Sequence, residues 1–330
     1  MARVVVVGSF NVDHVWRTPR LPHPGETLAG EYSSGPGGKG FNQAVAARRA
    51  GADTVFLSAL GDDAGGALAR SLAEADGIGL RVAPSAAPTG TAGIYVDETG
   101  RNSIVIGAGA NADLDPAFVD SQSDVLRSAA VVLAQLESPS DAILQALRAG
   151  RSAGATTLLN PAPANAGCEA ALLSASDVLT PNETEFAALL ASHAGEDIDP
   201  ADVATMDDGR LHRLCRTLLP HGTVVVTLGA AGVFVSHADA SPRGDAHGFY
   251  RAPAESVRPA DTTGAGDAFN GALAAGLAAA PRAPFATHVR YAIRVAGLAT
   301  ERPGAAAAMP WRTEVLERFG QGGAAAGHPG

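Results

Sequence analysis

The sequence predicts an α/β protein of three layers, a parallel sheet with helices packed on both faces. Short apolar runs such as the four valines at 4–7, ending at Gly8, have the form of strands buried on both sides. They alternate with Ala/Leu-rich stretches of helical length, the pattern that builds a parallel sheet through crossover helices. Polar residues collect where strands end and helices begin, the edge at which such sheets bind ligands.

In chain order, residues 4–7 form the first strand. Residues 11–36 mix polar and apolar residues around Pro19, Pro22, Pro24-Gly25 and Gly30, and read as short strands and turns outside the main core. Gly37-Gly38-Lys39-Gly40 opens a helix over 41–50, closed by Gly51. A strand at 55–59 ends in Gly61-Asp62-Asp63, and 65–75 is helical. Segments 91–96 and 102–106 are β-like, and Asp97-Glu98-Thr99-Gly100 between them is a hairpin signal. Strands at 131–135, 156–160 and 177–180 then alternate with helices at 140–149, 165–175 and 182–192. Residues 193–211 are acidic and poor in apolar side chains, and read as a surface insertion. A strand at 223–228 ends at Gly229. Segments 233–236 and 248–251 form an antiparallel extension around an exposed loop at 237–247. An Ala/Leu/Gly run to residue 280 reads as a buried helix. The Gly/Ala-rich tail, 320–330, is expected to be disordered.

A chain of 330 residues can bury one large α/β core, or a core with a small second unit. It is 46% hydrophobic, yet no apolar run is long enough to span a bilayer, so a soluble protein is expected. Cys168 and Cys215 are the only cysteines and lack metal-like spacing, which points to a reducing cytoplasm. A formal net charge of -10 argues against nucleic acid and anionic membranes as partners. An anionic ligand would need a local positive site.

One stretch can supply it: Asp261-Thr262-Thr263-Gly264-Ala265-Gly266-Asp267. Gly264 and Gly266 sit where the long helix starts, and free N–H groups with the positive end of the helix dipole bind anions there. The spacing is neither G-x-G-x-x-G nor a Walker A loop, since Phe269 occupies the third glycine position and no Lys-Ser/Thr follows. A phosphate would repel Asp267. A general base taking a proton from an attacking hydroxyl explains that acid; an ordinary first-turn acid is the plainer alternative. Other polar residues at strand ends and helix starts are Asn11, Asp13, Gly38, Lys39, Asn42, Glu137, Asn160, Asn182, Glu185, Thr227 and Gly229. Each alone could be a cap or a solvated side chain, but their shared edge argues for a site.

Read together, Gly8-Ser9-Phe10-Asn11-Val12-Asp13, Gly37-Gly38-Lys39-Gly40-Phe41-Asn42-Gln43-Ala44, Gln135-Leu136-Glu137, Asn160-Pro161-Ala162-Pro163, Thr180-Pro181-Asn182-Glu183-Thr184-Glu185 and the 261–267 stretch resemble the ribokinase branch of the PfkB carbohydrate kinase family. The resemblance spans roughly residues 3–319. It implies a Rossmann-like (ribokinase-like) α/β catalytic domain, residues 1–10, 37–90 and 107–319, with a small β-sheet lid from 11–36 and 91–106. It implies ATP-dependent phosphorylation of a sugar's primary hydroxyl, D-ribose leading, in a cytoplasmic homodimer joined through the lids. Asp267 would be the base, and the backbone of Gly264, Ala265 and Gly266 would stabilise the transferring phosphoryl group. Asn11, Asp13, Gly38, Lys39, Asn42 and Glu137 would hold the sugar. Asn182, Thr227, Gly229, Gly232 and Gly266 would line the nucleotide site, and Glu185 would act through water on Mg²⁺. A K⁺ ion would be held by Asp261 and Thr263 with carbonyls near Leu298, Glu301, Gly304 and Ala308.

The chain departs from the family at Thr300-Glu301-Arg302-Pro303-Gly304, which carries an acid where a base is usual and one extra residue, and at Ala308 in place of a serine. If the loop turns away, Arg302 is the candidate to replace the ion. Phe41 replaces a small residue and either packs in the core or reshapes the sugar pocket. A nucleoside kinase and a non-catalytic sugar-binding protein are the competing readings.

Overall fold

The structure, a computed structural model, describes residues 2–238 and 243–320. In chain order the strands are β1 (Arg3–Val7), β2 (Asn11–Thr18), β3 (Glu31–Gly37), β4 (Asp53–Leu60), β5 (Gly79–Pro84), β6 (Gly90–Asp97) and β7 (Asn102–Gly107). There follow β8 (Ala129–Ala134), β9 (Thr156–Leu159), β10 (Val178–Leu179), β11 (Thr223–Thr227), β12 (Val233–Ser236) and β13 (Phe249–Ala252). Nine of them make one sheet in the order β13-β12-β11-β10-β9-β8-β1-β4-β5. It is parallel from β5 to β11, and β12 and β13 add to it antiparallel. Alternate residues of β1 face opposite layers: Val4 and Val6 pack into one core cluster, Val5 and Val7 into the other.

Helices α1 (Lys39–Arg49) and α2 (Ala64–Asp76) cover the first face. The second face takes α3 (Pro116–Ser121), α4 (Ser123–Arg127), α5 (Ser140–Ser152), α6 (Ala170–Ser174), α7 (Glu183–Ala194), α8 (Pro200–Val203) and α9 (Asp208–Leu218). The chain then returns to the first face with α10 (Ala265–Ala279), α11 (Phe285–Ala299) and α12 (Arg312–Phe319). Strand order reverses between β1 and β8. The crevice beyond their C-terminal ends is where a doubly wound sheet binds ligands.

A second sheet has the order β3-β2-β6-β7. Its register puts Val15 beside Ile94 and Ile94 beside Ile104, on the face shared with Asp13, Ala92 and Ile106. Ile104 and Ile106 are about half exposed there, at 51% and 50%. On the opposite face Trp16 stacks on Tyr95, and His14 Nδ1 is 2.8 Å from the Tyr32 hydroxyl.

Three sequence expectations need correction. Residues 193–211 are not a surface insertion: they carry α8 and the start of α9, and Val203 and Leu211 are fully buried. The helix expected over 165–175 shrinks to α6, because a 3-10 turn at Ala164–Ala166 ends at Gly167 with φ +73°. In the expected loop at 237–247, His237 is buried between the Thr223 hydroxyl and the Asp245 carboxylate, at 2.9 and 3.1 Å. Residues 239–242 of that loop, and 321–330 of the expected disordered tail, lie outside the described residues. Edge strand β5 and helices α3, α4, α11 and α12 were not anticipated. No helix among the described residues is long and apolar enough to cross a membrane.

Candidate active site

The site starts from backbone contact. A Cβ at Gly40 would lie 2.5 Å from the Ser9 nitrogen, and one at Gly38 would lie 2.8 Å from Phe10 Cα and the Asn11 nitrogen. Gly38 also holds φ +86° as the N-cap of α1. Only glycines let the start of α1 lie against the chain leaving β1. The role the geometry gives Gly38 is therefore this close approach.

Glu137, just beyond β8, caps α1. Its Oε2 accepts the Lys39 N–H at 2.9 Å and the Ser9 hydroxyl at 2.6 Å. A Cβ at Gly37 would strike the Asp13 carboxylate at 2.1 Å, so β2 lays Asp13 over the same turn. Asn11 is fixed by Asn111, whose Nδ2 donates to Asn11 Oδ1 at 2.8 Å and to the Phe10 carbonyl at 3.0 Å. Phe41 turns into the core, edge-on to Phe10 at 5.1 Å.

Asp267 lies in the first turn of α10 and is buried. Its Oδ2 accepts from Asn42 Nδ2 at 3.0 Å and its Oδ1 from Gln43 Nε2 at 2.9 Å. Asn42 Oδ1 is buried with no partner among the described residues, an acceptor open to a ligand hydroxyl.

Charges converge here. Burial raises the Asp267 carboxyl above its ordinary range, against Lys39 and the Asn42 and Gln43 donors, which favour the ionised form. Burial, then Glu137, then Asp267 push Asp13 up to about 6. Lys39 is no solvated lysine. Burial would lower its ammonium, but Asp267, Glu137 and Glu185 more than offset this, and the net shift is upward.

The end of the site expected to take an anion is the start of α10. Gly264 caps it at φ +76°, and Ala305 lies 3.0 Å from where a Gly264 Cβ would be. The first N–H to close an intrahelical bond is that of Ala268, to Gly264 O at 2.8 Å. The Ala265 N–H turns back to Thr262 O at 3.2 Å, so it is not the open donor expected. Those of Gly266 and Asp267 have no backbone acceptor among the described residues, as expected for a helix's first turn. A Cβ at Gly266 would meet nothing within 4 Å. The fold does not require glycine there, and a close-approaching phosphate would.

A cleft of about 400 Å³ adjoins this turn, lined by Thr227, Gly229, Gly232, Thr262, Gly266 and Phe269 among others. Asn182 bridges to Thr227 in the sheet. With Glu185 it forms a capping box at α7, Asn182 Oδ1 accepting from Glu185 N at 2.8 Å and Glu185 Oε2 from Asn182 N at 2.9 Å. Burial raises the Glu185 carboxyl against the Asn182 N–H and Lys39, and Asp267 adds to the rise.

At the position expected to hold a cation, Asp261 Oδ1 accepts from Thr263 N and Oδ2 from Gly304 N, both at 2.9 Å. Its carboxyl is lowered: these N–H bonds outweigh burial, with help from Arg17. Leu298 lies in the last turn of α11 and Glu301 just past its C-cap, and the Glu301 carboxylate is held by the Arg258 N–H at 3.0 Å. Ala308 closes a turn on Ala305. Arg302 is drawn off by Glu314 at 2.5 Å, so it does not replace an ion at Asp261.

A doubly wound sheet, a buried carboxylate beside an N-terminal anion turn, and a rim of carboxylate, amide and ammonium groups define a kinase of polyhydroxylated small molecules. Residues 1–312 match the pfkB family carbohydrate kinase profile, and the chain belongs to that family. The enzyme is thus a sugar kinase, a phosphotransferase. It is 37% identical to the ribokinase of Mus musculus, over 95% of this chain and 94% of that one. It is 35% identical, over 97% of its length, to a bifunctional ribokinase/ribose-5-phosphate isomerase A of Fructilactobacillus sanfranciscensis, of which it spans 57%. Among solved structures, the ribokinase of Giardia lamblia superposes with a TM-score of 0.84 at 30% identity, covering 96% of this chain and 98% of that one. An Arabidopsis thaliana ribokinase complexed with ribose and ATP has a TM-score of 0.76 at 30% identity, covering 96% and 98%.

Proposed function

We propose that the chain is an ATP-dependent ribokinase that phosphorylates the primary hydroxyl of D-ribose. The observation that carries this is the buried Asp267 at the α10 start, bound by Asn42, whose Oδ1 is open to a sugar hydroxyl. Asp267 takes the proton of the attacking hydroxyl. The Gly266 and Asp267 N–H groups and the α10 dipole receive charge on the transferring phosphoryl group. Asn11, Asp13, Lys39, Asn42 and Glu137 orient the sugar through its hydroxyls, and the 400 Å³ cleft takes the nucleotide. A nucleoside substrate has less support, since Phe41 is spent in the core.

The second sheet is the lid, and its half-exposed isoleucine face joins two copies in a homodimer. A cytoplasmic setting accords with two free cysteines. Glu185, with one carboxylate oxygen taken by the Asn182 N–H, fits a Mg²⁺ held through water, which would neutralise phosphate charge. The Asp261 carboxylate, with main-chain oxygens of the 298–308 loop, fits K⁺, an oxygen-ligated cation that would add positive charge behind the anion turn.

The test is ADP release over a panel of sugars and nucleosides. Ribose is expected to give the highest kcat/KM. Asp267→Asn is expected to lower kcat by about 10²–10⁴ while leaving sugar and ATP affinity within a few-fold. Near-normal turnover in this variant would remove Asp267 as base.

A further inference from the structure

Beneath Asp267 lies a buried polar ring that sugar contact does not explain. Gln43, fully buried on α1, donates one Nε2 hydrogen to Asp267 Oδ1 at 2.9 Å and the other to Asn160 Oδ1 at 3.1 Å. Asn160 Nδ2 donates to the Thr180 carbonyl at 2.9 Å. The Thr180 hydroxyl donates to Asn270 Oδ1 at 2.5 Å, and Asn270 Nδ2 donates to the Gly266 carbonyl at 2.8 Å. Gly266 precedes Asp267, so the ring closes on itself. Gln135 Nε2 donates to Gln43 Oε1 at 2.6 Å, which fills the remaining side of that amide.

Every direction in the ring is forced. The Thr180 carbonyl only accepts, so Asn160 turns its nitrogen to it and its oxygen to Gln43. Gln43 must then present nitrogen to both Asn160 and Asp267. That is the orientation an ionised carboxylate requires and a donating carboxylic acid would oppose.

We propose that Gln43 is a positioning residue for phosphoryl transfer, holding Asp267 ionised and aimed through a ring that also fixes the turn binding the phosphoryl group. The inference rests on the reading of Asp267 as the base. Gln43 touches neither sugar nor nucleotide in this assignment, and it acts through the carboxylate and the ring that it holds.

The test is the pH profile of kcat at saturating sugar and ATP for Gln43→Met and Gln43→Glu, with Asp267→Asn in parallel and thermal melting as the control for folding. Lys39 on α1, Glu137 beyond β8, Glu185 on α7 and Asp13 on β2 also face Asp267, and both Gln43 variants leave them in place. Loss of a donor to a carboxylate disfavours its ionised form. Gln43→Met is therefore expected to move the acid limb of kcat up by about one unit and to lower the plateau by about 10–100-fold, with both KM values within a few-fold. Gln43→Glu fills the same space and places a second carboxyl beside the base, so its limb is expected to move further. An unmoved limb with kcat within twofold of wild type, in either folded variant, overturns the proposal. Retained turnover in Asp267→Asn overturns the reading beneath it instead.

Discussion

Asp13 is the residue whose chemistry should be easiest to see in solution. Burial, then Glu137, then Asp267 push its carboxyl up to about 6. In the proposed assignment its ionised carboxylate accepts from the sugar's hydroxyls, and protonation turns one of those acceptors into a donor. The KM for sugar is therefore expected to rise as pH falls from 7 to 5, by about tenfold per unit below 6. Asp13→Asn should bind sugar weakly at every pH, with that dependence gone. Steady-state KM measured across this range checks both. The sign for stability is the reverse of the usual aspartate. The folded value lies above the ordinary 3.8, so this group costs stability as pH rises from about 4 to 6. Asp13, Lys39, Asn42, Glu137 and Asp267 were legible as a group because each stands at a strand end or helix start. Gln43 was not, because an amide one turn into an Ala-rich helix looks like any solvent-facing position. Asn111 falls after the hairpin, outside every motif. Only the fold shows that it clamps Asn11.

At the scale of elements, α9 shows how a local composition misleads. The acidic run before it suggested exposure, yet Leu211, Leu214, Cys215 and Leu218 recur at helical spacing and are buried. Leu211→Ala is expected to cost about 2–5 kcal/mol in urea unfolding, the range for a buried leucine. A surface position would lose less than about 0.5 kcal/mol. Strand β5 was missed for the opposite reason. It lies at the sheet edge, half exposed, and lacks the apolar run that marks β1 and β8. The loop after α11 carries a further expectation. Asp261 ties it to the start of α10 through Gly304, and Arg302 is committed to Glu314. Activity is expected to rise with K⁺ at constant ionic strength, by about tenfold, a change of ~1.4 kcal/mol. Asp261→Ala should abolish the response. Full activity without K⁺, or with Li⁺ in its place, would count against a cation there.

For the molecule as a whole, the sheet with helices on both faces was readable because periodicity is local and repeated. The joining of the two β-rich excursions into one sheet came from the resemblance alone, since register between distant strands leaves little trace in either. That sheet carries the proposed assembly. Ile104 and Ile106 share one face with Val15 and Ile94, and neighbouring apolar side chains left half exposed on one face favour a partner surface. Light scattering at micromolar concentration is expected to give twice the 33.1 kDa of one chain. Ile104→Glu combined with Ile106→Glu should return one chain's mass. Because the path covers one face of the main sheet, then the other, then the first again, α1 and α10 meet only at the end. The bonds from Asn42 and Gln43 to Asp267 join residues 225 and 224 positions apart. Loops of that span close late, after nearer contacts have formed. On a ribosome, the N-terminal half of the site waits for its base until almost the whole chain has emerged. A refolding chain should likewise have its sheet before it has any turnover.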